Sequence, residues 1–164
     1  MDAATFLTQV RAGRLDGRVY LFAGRESFLK ERALEQVKSR FVPPDEQAES
    51  FHIIDFAHRE ASEFPALLHS FSFSSGRRVF ALYQFDKLGA AERKQIYAVL
   101  KQAIPEDALV FLLTDETPVA AEAAKALAEV VQRLDFWPPF ENQVPTWVRQ
   151  EAADAGAQMT PEAV

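Results

Sequence analysis

Apolar residues gather in five short runs along the chain, at residues 19–22, 51–54, 79–83, 109–113 and, more weakly, 130–136. Between them the apolar positions fall at helical spacing, over residues 3–11, 27–40, 62–70, 90–103 and 118–128. Short apolar runs bounded by turn residues are strands, and strands that alternate with helices need crossover connections. The pattern therefore predicts a three-layer α/β domain, a mostly parallel five-stranded sheet with helices on both faces. Ser27 is positioned to cap the second helix, whose apolar face comprises Phe28, Leu29, Ala33, Leu34, Val37 and Phe41. Thr117 stands as N-cap to the last of these helices, with Pro118 at its first position.

The pattern breaks at residues 135–145, DFWPPFENQVP. Pro138 and Pro139 exclude helix, Pro145 follows, and the residues between are polar, as in a connection between domains. The first domain is expected over residues 1–140 and the start of a second, helical one over 141–164. Trp147, Val148 and Ala152 share one side of its first helix, and Gly156 is placed to end it. Thr160-Pro161-Glu162 then repeats the opening seen at Thr117 just before Val164, so the chain is expected to be part of a longer one.

Composition narrows the function. With 164 residues, 48% of them hydrophobic and 14 of them phenylalanine, there is enough apolar mass for one good core. The net charge of -6 removes the long-range attraction that sequence-independent nucleic-acid binding needs, and Arg77-Arg78 alone reads as a solvated loop. There is no cysteine for a disulfide or thiolate site, and the N-terminal segment with Asp2, Arg11 and Arg14 is no signal peptide. No apolar run approaches the roughly 20 residues that span a bilayer, so a cytoplasmic protein without membrane contact is expected.

Candidate chemistry centres on residues 18–38, RVYLFAGRESFLKERALEQVK, which have the strand–turn–helix frame of a phosphate-binding loop. Such a loop needs further glycines, a lysine and a hydroxyl that holds magnesium. Here Gly24 is the lone glycine, Lys30 follows six residues later, and Glu31 stands where the hydroxyl would be. A nucleotide-binding architecture without the nucleotide is the expectation, with no cofactor. Asp55, Asp86 and Asp115 with Glu116 end three strands, where ligands of parallel sheets sit, so a magnesium-dependent enzyme or receiver-type domain is the alternative. Leu112 to Glu116 also imitates the acidic, magnesium-holding strand of an ATPase. His52, His58 and His69 match no common zinc spacing, and Ser72, Ser74 and Ser75 have no evident base, so neither a metal nor a catalytic site is expected.

Residues 62–78, SEFPALLHSFSFSSGRR, hold one more feature. Phe64, Leu67, Leu68 and Phe71 form a stripe at i, i+3, i+4 and i+7 that should face the sheet. Phe73 falls off that stripe and is left as an aromatic anchor for a partner.

With VYLFAGRESFLKERALEQVK, SSGRRVFALYQFDKL and WPPFENQVPTWVRQEAADAG running into MTPEAV, the chain resembles the delta subunits of bacterial DNA polymerase III clamp loaders. The resemblance implies a RecA-like/AAA+ first domain with a degenerate nucleotide site, the start of a helical second domain, and a third, collar domain that is absent here. It implies a non-catalytic component of the polymerase holoenzyme that binds and opens the sliding clamp (beta) in the nucleoid-associated replisome. The ATPase subunits (gamma/tau), delta-prime and primer-template DNA are the other implied partners. Such subunits contact the clamp through two adjacent hydrophobic residues before the Arg-Arg strand. Counting back from Arg77 places these on Phe73 and Ser74, a serine where the pattern wants an apolar residue, with Phe71 as support.

Overall fold

All five strands form, and they join in one parallel sheet. The computed structural model describes residues 1–102 and 104–136, together with Val148, Arg149, Ala152, Ala153 and Gly156. In chain order the elements are α1 (Ala3–Arg11), β1 (Val19–Ala23), α2 (Ser27–Phe41), a 3-10 turn (Pro44–Glu46), α3 (Gln47–Ser50), β2 (Phe51–Asp55) and α4 (Glu63–Leu68). There follow β3 (Arg78–Tyr83), a second 3-10 turn (Phe85–Lys87), α5 (Ala90–Lys101), β4 (Ala108–Thr114), α6 (Thr117–Ala126) and β5 (Val131–Asp135). The sheet order is β2-β3-β4-β1-β5, with Val19 level with both Val110 and Val131. Every pairing is parallel.

The apolar runs are continuous because β1, β3 and β4 lie inside the sheet and are covered on both faces. Alternate side chains point to opposite faces. Leu21, Phe80, Leu82, Val110 and Leu112 pack on one side with Phe64, Leu68, Ile96 and Ala123 from α4, α5 and α6. Tyr20, Phe22, Val79 and Phe111 pack on the other with Phe6, Val10, Leu34 and Val37 from α1 and α2. The Phe6 ring meets those of Tyr20, Phe22 and Phe111 edge-on, at centroid distances of 5.3, 5.6 and 6.3 Å.

Three local expectations need correction. Ser27 is the first residue of α2 and not its cap, because the Lys30 N–H already bonds the Glu26 carbonyl and moves the cap back to Glu26. Thr117 is likewise inside α6, where the Ala120 N–H reaches the Glu116 carbonyl. Most consequential, α4 stops at Leu68, so Phe71 leaves the stripe and stands 82% exposed.

The expected linker and most of the segment expected to begin a second domain, including Pro138, Pro139, Phe140 and Trp147, lie outside the described residues. Val148, Arg149, Ala152 and Ala153 are helical, and Gly156 has φ 77°. Among the described residues, no helix is long and apolar enough to cross a membrane.

Candidate functional site

The carboxyl ends of the strands surround a cleft of about 420 Å³ lined by Lys30, Glu31, Tyr83, Gln84, Asp86, Asp115 and Glu116. Several polar groups around it are engaged by the chain itself. Gly24 has φ 118°, and a Cβ there would collide with the Phe136 carbonyl, so this glycine is required by the chain leaving β5. Its N–H donates to the Thr114 carbonyl at 3.2 Å, and that of Glu26 to the Phe136 carbonyl at 3.2 Å. Lys30 is only 3% exposed, and its ammonium donates to the Thr114 carbonyl at 3.1 Å and to the Asp115 carboxylate at 2.7 Å. Glu31 accepts the Tyr83 hydroxyl at 2.8 Å. Burial, followed by that carboxylate, pushes the Tyr83 phenol well above its ordinary range.

The three strand-end aspartates are not brought to a common point. Asp55 accepts the Ala57 N–H and the side chain of Gln84, whose backbone is left-handed at φ 53°. Asp86 accepts the Thr114 hydroxyl at 3.0 Å, while Asp115 holds Lys30. His52 stacks on Phe80 at 5.0 Å, and burial, with a smaller contribution from Arg78, lowers its pKa. Among the described residues, no group of three His, Asp or Glu side chains is placed to hold a metal ion.

The opposite end of the sheet is different in character. The segment between α4 and β3 projects Phe71 and Phe73, 82% and 90% exposed, with their rings 4.8 Å apart and nearly perpendicular at 83°. Leaving a phenylalanine in water forgoes about 1.5 to 3 kcal/mol of burial, so a fixed exposed pair favours a surface that covers it.

Both arms of the segment are pinned. On the α4 side, Arg78 is 4% exposed and forks onto Asp107 at 2.7 and 3.2 Å. It also donates to the carbonyls of Leu67 (3.4 Å), Leu68 (3.1 Å) and Ser70 (3.4 Å), and lies over the Phe80 ring. It thus satisfies the Leu68 carbonyl, which the end of α4 leaves without a helical partner, and joins the Ser70 hydroxyl on that of Leu67. On the β3 side, Ser74 and Ser75 donate their hydroxyls to Glu46 at 2.7 and 2.8 Å, and Gly76 sits where a Cβ would press on Pro43. Arg77 lies over the Phe41 ring at 5.4 Å.

The Arg77-Arg78 pair is therefore not a solvated loop, since its second member is buried structural cement. Ser74 is half-buried, with its hydroxyl engaged by Glu46. Reading the sequence missed Glu46 and Asp107 altogether. Each lies 28 or 29 residues from its partner, beyond any local pattern.

The Ser74 and Ser75 hydroxyls hold the Glu46 carboxyl below its usual range. A depressed folded-state pKa adds stability that is present above the unfolded value and is lost as pH falls through the folded one. Amide exchange at Ser75, followed from neutral pH to below the ordinary carboxylate range and corrected for intrinsic rates, should show the loop loosening only at the acid end. Loosening on the alkaline side would contradict this assignment.

No protein-family profile matches the sequence, and no curated protein does. Solved structures do. The Bacillus subtilis DNA clamp loader delta protein matches over 98% of this chain and 50% of its own, with TM-score 0.75 and 13% identity. A DNA polymerase III gamma subunit-related protein from Thermotoga maritima matches at TM-score 0.56 and 13% identity, over 95% of this chain and 54% of its own. The Walker-type ATPase of Pyrococcus abyssi gives TM-score 0.54 at 10% identity, over 96% of this chain and 59% of its own. The chain has the RecA-like/AAA+ fold. It spans between half and three-fifths of the length of these structures. The cleft lies at the carboxyl ends of the strands, where ligands of parallel sheets sit, and the aromatic pair lies at the other end of the sheet.

Proposed function

We propose that this chain is the N-terminal part of a clamp-loader delta-type subunit, which binds and opens the DNA sliding clamp without hydrolysing ATP. The observation that carries this is the exposed, edge-to-face pair Phe71 and Phe73 on a loop fixed at both ends. Two rings already held in one arrangement form a preordered wedge for an apolar pocket, which lowers the entropy lost on binding. Ser74, whose hydroxyl is held by Glu46, belongs to the same contact segment. In this reading residues 1–140 form the clamp-binding domain and residues 141–164 begin the helical second domain. ATP turnover belongs to the partner subunits (gamma/tau), which with delta-prime and primer-template DNA complete the loader.

The engaged N–H groups at the turn after β1, the Lys30 to Asp115 pair and Glu31 support an inert nucleotide position. Asp55, Asp86 and Asp115 each satisfy a different neighbour, which gives the magnesium-dependent alternative no observation in its favour.

Calorimetry separates the two readings. Titrating ATP and magnesium into the chain should give no saturable heat, whereas the sliding clamp from the same source should bind in the micromolar range or tighter. Nucleotide binding abolished by Lys30→Ala, with no response to the clamp, would overturn the proposal.

A further inference from the structure

The projecting segment makes little use of backbone hydrogen bonding. Among the described residues, no backbone group of residues 71–76 bonds another backbone group. The contacts within it are short-range, with Ser74 N–H to the Ser72 hydroxyl at 3.1 Å and Gly76 N–H to the Ser74 hydroxyl at 3.2 Å. Every hydrogen bond that ties residues 71–76 to the rest of the described structure ends on one carboxylate, that of Glu46. Its Oε2 accepts the Ser74 hydroxyl at 2.7 Å, its Oε1 accepts the Ser75 hydroxyl at 2.8 Å, and the Ser75 N–H is shared between them at 3.2 and 3.3 Å. Charge-assisted bonds of this kind are the strong ones, and this carboxylate uses both oxygens at once.

Glu46 itself stands on a firm base. It ends the 3-10 turn Pro44–Glu46, between Pro43 and α3, just before the edge strand β2. Its N–H bonds the Pro43 carbonyl at 2.9 Å, so the turn is closed on itself.

We propose that Glu46 is the positioning residue of the aromatic pair: by gripping Ser74 and Ser75 together, it holds Phe71 and Phe73 in the projecting, binding-ready arrangement without touching the partner. This rests on the clamp-binding reading above. A loop that is ordered in advance presents nearly all molecules in the competent form, whereas an untethered one is competent only a fraction of the time. Apparent affinity falls by that fraction. Glu46 therefore acts on affinity through the population of loop conformations, and the rings supply the contact.

The test compares the wild-type chain with Glu46→Ala, Glu46→Gln and Phe73→Ala by three measurements: amide hydrogen exchange without any partner, thermal unfolding, and clamp titration with association rates. In Glu46→Ala, exchange at Ser74, Ser75 and Gly76 should rise roughly tenfold while the strands keep their protection. Clamp affinity should fall by about 5- to 20-fold, chiefly through slower association, with the melting temperature unchanged. Glu46→Gln keeps an acceptor oxygen for the serines and should recover most of both effects. Phe73→Ala should lose clamp binding with loop exchange as in the wild type. Unchanged loop exchange in Glu46→Ala overturns the proposal. So does a loosened loop that still binds the clamp at full affinity while Phe73→Ala does not. If the wild-type chain does not bind the clamp at all, the functional reading falls first and this proposal with it.

Discussion

Replacing Phe71 and Phe73 together with alanine should weaken clamp binding by roughly 30-fold or more and leave thermal unfolding almost untouched. Truncating a central aromatic anchor costs on the order of 2 to 4 kcal/mol of binding, and each 1.4 kcal/mol is a factor of ten. The folded chain has little to lose by the same change. The two rings are 82% and 90% exposed and meet chiefly each other, an edge-on contact of about 0.5 to 1.5 kcal/mol. Their mutual contact also predicts non-additivity. Removing either ring strips the other of its support, so the two single substitutions should each cost more than half of the double one. Clamp titration and thermal denaturation on the three variants supply the check, and a double variant that binds like wild type would refute the aromatic anchor.

Arg78→Leu should produce the largest loss of stability. The guanidinium is buried, and its removal strands the Leu68 and Ser70 carbonyls as well as the Asp107 carboxylate, while the Leu67 carbonyl keeps the Ser70 hydroxyl and N–H. Breaking a buried pair by deleting one partner costs about 3 to 5 kcal/mol. Because Asp107 is 38% exposed and can regain water, the lower end applies, about 3 kcal/mol. For a domain of this size that corresponds to a drop of roughly 10 °C in melting temperature. Arg78→Lys should recover only part of it, since a single ammonium cannot reproduce the fork that reaches the carboxylate and α4 together. Unchanged melting in Arg78→Leu would mean that the end of α4 is held by something else.

The sheet was legible because burial on both faces writes β1, β3 and β4 as uninterrupted apolar runs. The edge strand β5 gave a weaker signal for the same reason, as it is only half covered. Phe71 was misplaced because a 3.6-residue period assumes that the helix continues. What ends α4 is a tertiary contact, the Arg78 guanidinium taking the carbonyls of residues eight to eleven positions earlier. The same burial is why two adjacent arginines in a Ser/Gly segment read as a solvated spot. The Gly24 to Lys30 spacing was visible in the sequence, but its cause was not. Gly24 is demanded by the Phe136 carbonyl, and Lys30 by the Thr114 carbonyl and Asp115, three groups far away along the chain. Phe73 was legible as the aromatic left over from the stripe, whereas its ring partner and its carboxylate tether emerge only from the fold.

In the proposed role the working end of this domain is the amino end of the sheet, where Phe71 and Phe73 project, and the cleft at the carboxyl ends of the strands takes no part. Hydrogen–deuterium exchange of the chain with and without saturating clamp tests it most directly. New protection is expected at residues 69–77 and none at residues 24–31 or 113–117. Protection confined to the cleft at the carboxyl ends of the strands, with residues 69–77 exchanging as freely as in the isolated chain, would contradict it.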